Sequence, residues 1–215
     1  MGPRVLEKVR AAYDAVAPAY AQQFLHELDA KPFDRALLAG FAELVQGMGP
    51  VAEVGTGSGH IARFLKVRGA DVFGVDFSPR TVQLARERHR DIGLEFRVDD
   101  FFALQLPEAA LAGAVAFYAY VHLEPEDLPA AFREVARVLR PGAPFLLGFH
   151  LGDERFHVEE WLGAKVGLDW RFFPMAIVAA ALEGAGLAVE AKVERAPYAN
   201  EYPTARGYVL ARKPR

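Results

Sequence analysis

The stretch from Val51 to Leu65, "VAEVGTGSGHIARFL", constrains the fold more than any other. An apolar run ends in three alternating glycines, and a helical pattern follows at once. Such a strand–turn–helix unit aims backbone N–H groups and a helix start at whatever faces the turn. Similar units follow. "DVFGVD" (71–76) precedes "SPRTVQLARERHR", with Ser78 as N-cap and Pro79 at the first helical position. "LEFRV" (94–98), "GAVAFY" (113–118) and "PFLLGFH" (144–150) read as strands. Between the last two, "EDLPAAFREVARVLRPG" is an amphipathic helix stopped by Pro141 and Gly142. This alternation predicts an α/β fold built on a parallel, doubly wound sheet.

The flanks extend the plan. Up to about Gln46 the chain reads as helices, with Tyr13, Val16, Ala17, Tyr20 and Phe24 at helical spacing. Pro18 is expected to break or restart the first of them. "MAIVAAALEGAG" is a helix ended by Gly186, and "LAVEAKVER" and "ARGYVLARK" are two closing strands, making seven in a mostly parallel sheet. Residues 151–173 have no clean period and are rich in His and Trp. A long irregular segment inside a compact domain reads as a functional lid inserted after the fifth strand. The whole chain, 1–215, is expected to be one domain. Its parts are N-terminal helices (1–47), a ligand-binding half (48–150), the lid (151–173), and a closing helix with two strands (174–215).

Composition narrows the function. With 215 residues, 52% hydrophobic and 25% charged, the chain suits one soluble domain with a sizeable core. A net charge of −3 argues against a polyanion as main partner, so nucleic acid is not expected. Without cysteine there is no disulfide, thiolate metal site or cysteine nucleophile, and no metal centre is expected. The N-terminal stretch lacks an apolar signal core, and the run Ala109–Val121 is shorter than the roughly 18 residues of a membrane span. A cytoplasmic protein with no membrane partner is expected.

Elimination narrows what the turn binds. A phosphate-binding P-loop needs a lysine that does not follow these glycines. The dinucleotide pattern G-x-G-x-x-G/A fails from Gly55, where His60 takes the third place. From Gly57 it fits formally, but Glu53 and Thr56 then fall inside a dry buried strand. The frame E-x-G-x-G-x-G, from Glu53 to Gly59, instead puts Glu53 at the carboxyl end of the strand, where open α/β sheets bind ligands.

In that frame the residues resemble motif I of the class I S-adenosylmethionine-dependent methyltransferases. "FGVDFSP" resembles the family's second motif, "VDDFFALQLP" its third, and "AFYAYVHLEPEDLPAAFREVARVLRPGAPFLLGF" its fourth to sixth. The resemblance runs from about Tyr13 to the C-terminus. It implies a Rossmann-like methyltransferase fold, S-adenosylmethionine as cofactor, and a cofactor site assembled along the chain. Glu53, Gly55, Thr56, Gly57 and Gly59 would take the methionyl part. Asp76, 21 residues beyond Gly55, would accept the ribose hydroxyls, with Phe77 against the adenine face. Asp100 would accept from the adenine amino group beside the Phe101 N–H. Phe117 and Tyr118 would border the sulfonium, and Tyr13 and Tyr20 would close over the methionyl end.

Methyl transfer needs a base only where the acceptor must lose a proton. His122 and His150, at the ends of the fourth and fifth strands, are the candidate catalytic residues. In the lid, Trp161 and Trp170 with His157 are expected to wall an apolar acceptor pocket. The segment "AFYA" departs from the N-P-P-Y and D-P-P-Y signatures of methyltransferases acting on exocyclic amines of DNA, RNA or protein glutamine. That departure favours a small-molecule acceptor. A catalytically silent cofactor-binding protein and a nicotinamide oxidoreductase remain the alternatives, separable by comparing S-adenosylhomocysteine with NAD in a thermal-shift assay.

Overall fold

The computed structural model describes residues 3–215, with side chains from Leu6 onward. Two helices open the chain, α1 (Pro3–Phe24) and α2 (Pro32–Val45), joined by a 3₁₀ turn at Glu27–Ala30. The alternating core follows: β1 (Pro50–Val54), α3 (His60–Lys66), β2 (Asp71–Asp76), α4 (Pro79–Arg88), β3 (Glu95–Val98), β4 (Gly113–Phe117), α5 (Leu128–Val138) and β5 (Pro144–His150). Then come β6 (Arg155–Trp161), β7 (Ala164–Arg171), α6 (Met175–Gly184), β8 (Ala188–Arg195) and β9 (Arg206–Arg212).

Seven strands form one sheet in the order β3-β2-β1-β4-β5-β9-β8. The first five are parallel, and β9 runs antiparallel to both β5 and β8. Strand order reverses between β1 and β4, which opens a crevice at their carboxyl ends. Because β9 is reversed, its first residue, Arg206, lies opposite His150 at that same edge. One face of the sheet packs on α5 and α6 through Leu128, Phe132, Val135 and Leu182. The other packs on α2, α3 and α4 through Leu38, Phe41, Leu65 and Val82. Both faces are dry, which is why the central strands are apolar runs and not alternating ones.

The expected capping of α4 is present: the Ser78 side chain accepts from Thr81 N–H, with Pro79 at the first helical position. Two expectations fail. Helix α1 continues through Pro18 without a break. A proline deprives the helix of one backbone bond, but Val16, Ala17 and Ala21 around it are buried, and that packing holds the helix together. Residues 151–173 are not irregular either. Strands β6 and β7 form an antiparallel hairpin, closed by Leu162 and Gly163 with φ of 51° and 80°. Two positive φ values in a two-residue loop give the turn whose twist suits a hairpin. Leucine is a poor residue for it, and the register shift between Val158 and Glu160 interrupts the alternation. The hairpin lies against α1, where Val166 and Leu168 pack on Val9, Ala12 and Val16.

Candidate active site

The site is built on the glycine turn. Gly55, Gly57 and Gly59 have φ of 71°, 52° and 76°, a region glycine enters at no steric cost. Their surroundings differ. A Cβ on Gly55 would lie 2.5 Å from the Ala119 Cβ, and one on Gly59 2.6 Å from the Phe96 ring. These two glycines allow the turn to pack against the protein itself. Gly57 is buried too, but a Cβ on it would instead meet the Tyr20 ring at 3.0 Å, at the carboxyl edge of the sheet.

Two acids hold the turn. Glu53, the penultimate residue of β1, is only 2% exposed, so the buried position that seemed to disfavour a charge is where it stands. It is paired there: its carboxylate accepts from the Thr56 hydroxyl and from Ala62 N–H. Thr56 is itself buried. Burial drives the Glu53 carboxyl up to about 7, against the opposing pull of His60 and these hydrogen bonds. Asp76 ends β2 and accepts from Gly57 N–H at 3.0 Å and Ser78 N–H at 3.0 Å. Burial lifts it to about 6 despite those donors. A buried carboxylate with two backbone donors at the crevice edge still gains from further hydroxyl donors, which suits a ribose diol.

These two raised acids set a stability optimum. Unfolded, Glu53 and Asp76 would titrate near 4.5 and 3.8; folded, they take up protons near 7 and 6, so the ligand-free fold gains stability as pH falls from 8 to 6. Burial holds His122 and His150 down at about 4 and 3, so stability is lost again as pH falls below 6.5. The melting temperature without ligand is therefore expected to peak near pH 6. A flat profile from pH 8 to 6 would show both carboxyls to be hydrated.

An aromatic line runs along the carboxyl edge. Tyr13 lies edge-on to Tyr20 at 5.7 Å and to Phe77 at 5.9 Å, and Phe77 continues to Phe101 at 6.2 Å. Asp14 fixes α1 here by accepting from the Ser78 hydroxyl and Arg80 N–H at the start of α4. Trp161 caps the line, 5.7 Å from Tyr13 and 5.6 Å from Tyr20. The hairpin thus covers this end of the aromatic line through Trp161. Trp170 rests on His122 at 4.9 Å. His157 faces outward, between Asp169 and Glu159.

Other expected site residues stand differently. Asp100 is exposed, and its carboxylate accepts from Phe102 N–H; Asp99 accepts from Asp100 and Gln105 N–H. Both acids fold their own turn beside Phe101. The Phe117 side chain does not border the crevice. It is buried in the core against Tyr208 at 5.9 Å and the glycine at 148, because its place in β4 sends it beneath α2. Tyr118 does stand at the edge, with φ of 57°, a rare conformation for an aromatic residue. Its ring lies 4.8 Å from that of His150.

The two candidate histidines differ in kind. His122 Nδ1 lies 2.7 Å from the Asp169 carbonyl and must carry the proton; Nε2 then accepts from the Tyr13 hydroxyl at 3.0 Å. That ring is a strut joining α1, the β4 loop and the hairpin. His150 is sandwiched between Tyr118 and Phe172, and its Nδ1 has no hydrogen-bond partner. Around it lie Lys31, Glu27, Glu201 and Arg206, charged residues that sequence reasoning missed. They come from two segments, 27–31 and 201–206, far apart in sequence and with no shared motif.

The residues fit S-adenosylmethionine: a glycine turn covered only by the Tyr20 side chain at Gly57, a buried carboxylate able to accept from a diol, and aromatic rings along the same edge. Among the described residues no group of His, Asp or Glu is arranged to hold a metal ion, and no helix is long and apolar enough to cross a membrane.

Comparison with known proteins gives the same answer. Residues 51–142 match the methyltransferase domain family. The malonyl-[acyl-carrier protein] O-methyltransferase of Serratia marcescens is 32% identical over 117 residues, covering 52% of this chain and 44% of that protein. A demethylmenaquinone methyltransferase of Chlorobaculum parvum is 33% identical over 141 residues, covering 62% and 56%. The chain thus spans about half the length of the curated relatives it matches. A solved S-adenosylmethionine-dependent methyltransferase from Methanosarcina mazei superposes with a TM-score of 0.69 at 19% identity, over 77% of this chain and 92% of that one. Residues 51–142 thus match a methyltransferase domain, and the chain shares the fold of solved S-adenosylmethionine-dependent methyltransferases, a likeness that implies S-adenosylmethionine as its cofactor.

Proposed function

We propose that this protein transfers a methyl group from S-adenosylmethionine to a small-molecule acceptor by in-line displacement. The observation that carries the reading is the pairing of Gly57 with Asp76 at the crevice between β1 and β4, beneath a cover of Tyr13, Tyr20 and Trp161. S-adenosylmethionine, when bound, supplies an electrophilic methyl group on a sulfonium. The protein's part is to hold and shield. Gly57 keeps the turn bare beneath the movable Tyr20 side chain, Asp76 takes the ribose hydroxyls, and Phe77 with Phe101 flanks the adenine. The aromatic cover excludes water, which would otherwise compete with the acceptor. Tyr118 closes the far end, where the acceptor approaches.

The hairpin is proposed to act as the lid of this site through Trp161. Trp161→Ala is expected to weaken S-adenosylhomocysteine binding about tenfold, the loss of roughly 1.4 kcal/mol in contacts with Tyr13 and Tyr20. His157→Ala, on the outer face of the hairpin, should leave that affinity within twofold. Calorimetry on both variants tests the lid, and equal effects from the two would remove it. The enzymatic reading itself is tested by screening an acceptor library for S-adenosylhomocysteine release, with binding of the cofactor product measured on the same preparation. Binding without release across the library would favour a silent cofactor-binding protein.

A further inference from the structure

One residue of the glycine turn is held from outside the turn. Gly55 and Thr56 donate their N–H groups to the Val75 carbonyl, Gly57 donates to Asp76, and Gly59 donates to the Thr56 carbonyl. Ser58 stands between the last two glycines. Its carbonyl accepts from His89 Nε2 at 2.8 Å, and its hydroxyl lies 2.7 Å from His60 Nδ1. His60 is only two residues on, so its grip is local. His89 lies 31 residues on, just past the end of α4. Flanked by two glycines, the Ser58 peptide units are free to turn unless something holds them.

The end of α4 is built as a brace. Arg86 Nε donates to the Phe96 carbonyl in β3 at 2.8 Å, Arg88 donates to the Ala21 carbonyl in α1, and His89 donates to Ser58. The His89 ring also lies against the turn. Its Cδ2 would be 2.8 Å from a Cβ on Gly59, and its centroid is 5.6 Å from that of Phe96.

This histidine is not the residue that packing alone would select. A carbonyl only accepts, so Nε2 carries the proton and Nδ1 is left as a bare lone pair. Nδ1 is buried without a hydrogen-bond partner, in a residue only 1% exposed. An unpaired nitrogen in the interior works against folding, and an apolar side chain would fill the place without that cost. Burial also holds the imidazole below its usual pKa despite the Ser58 bond, with Arg63 and Arg88 opposing a charge. What the ring supplies is its bond to Ser58.

Resting on the methyltransferase reading, in which the glycine turn takes the methionyl part of the cofactor, we propose that His89 is a positioning residue for cofactor binding. Through Nε2 it fixes the Ser58 carbonyl, and with it the set of the main chain that meets the methionyl group. Asp76, which takes the ribose, is held separately by the Gly57 and Ser78 N–H groups. His89 therefore acts on the methionyl end and not on the nucleoside end.

The test titrates the full chain with S-adenosylhomocysteine and, separately, with adenosine, which lacks the methionyl part. His89→Leu keeps similar bulk but removes the donor. It is expected to weaken S-adenosylhomocysteine at least tenfold and to leave adenosine within threefold. His89→Gln, whose amide N–H reaches as far as Nε2, should restore S-adenosylhomocysteine to within threefold of the parent. If His89→Leu does not fold, His89→Asn replaces it, since its amide is too short to reach Ser58. Both ligands weakened alike, S-adenosylhomocysteine unaffected in His89→Leu, or His89→Gln as weak as His89→Leu would each make His89 a packing residue and overturn the proposal, leaving methyl transfer standing. If the parent does not bind S-adenosylhomocysteine, the methyltransferase reading falls, and this one with it.

Discussion

Gly57→Val is expected to weaken S-adenosylhomocysteine binding at least a hundredfold, about 2.7 kcal/mol at roughly 1.4 kcal/mol per decade, while the protein stays folded. Two effects act together. At φ of 52° a β-branched side chain is strained by roughly 1–2 kcal/mol. Its Cβ, already 3.0 Å from the Tyr20 ring, pushes the valine methyls into the space above the turn. Tyr20 is reached at the far end of its side chain, so the ring can swing away and the sheet below need not move. For a chain of this size about 1 kcal/mol shifts the melting temperature by roughly 2–4 °C, so a loss of less than about 10 °C is expected. Gly57→Ala, smaller and unbranched, should fall between parent and valine in affinity. Calorimetry decides the matter: affinity within threefold of the parent in both variants would remove the glycine turn from the cofactor site.

The same comparison shows what could be read from sequence. Three glycines in one turn look equivalent in a string of letters. In space Gly55 is fixed by Ala119, Gly59 by Phe96 and His89, and only Gly57 faces the edge where a ligand would lie. The succession of strands and helices, the Ser78 cap and the position of Asp76 at the end of its strand were legible because they depend on local apolar runs and on spacing within one unit. Phe117 was misread because a strand end does not reveal which face its last side chain takes. The hairpin was missed because Leu162–Gly163 is not a strong turn signal and a register shift breaks its alternation. The cluster of Lys31, Tyr118, His150 and Arg206 was invisible because its successive members are separated by 32 to 87 residues and are joined only by sheet order and the reversal of β9.

Asp76 should separate affinity from stability. A hydrogen bond to a charged group contributes about 1.5–3 kcal/mol, so losing the contacts to two ribose hydroxyls in Asp76→Ala is expected to weaken S-adenosylhomocysteine binding at least tenfold. The fold responds differently. Burial has lifted this carboxyl from 3.8 to about 6, so at pH 8 holding it ionised works against the ligand-free protein by an amount on the order of 3 kcal/mol. Part of what it returns is the pair of bonds from the Gly57 and Ser78 N–H groups. An asparagine keeps a carbonyl oxygen for one of them and removes the charge. Asp76→Asn is therefore expected to melt no earlier than the parent at pH 8, yet to bind at least tenfold more weakly. In the parent, affinity should decline as pH falls below 6, because protonation takes away the acceptor the ribose needs; in Asp76→Asn that decline should disappear. If Asp76→Asn binds within threefold of the parent and melts well below it, Asp76 is a tether for the turn and the ribose is held elsewhere.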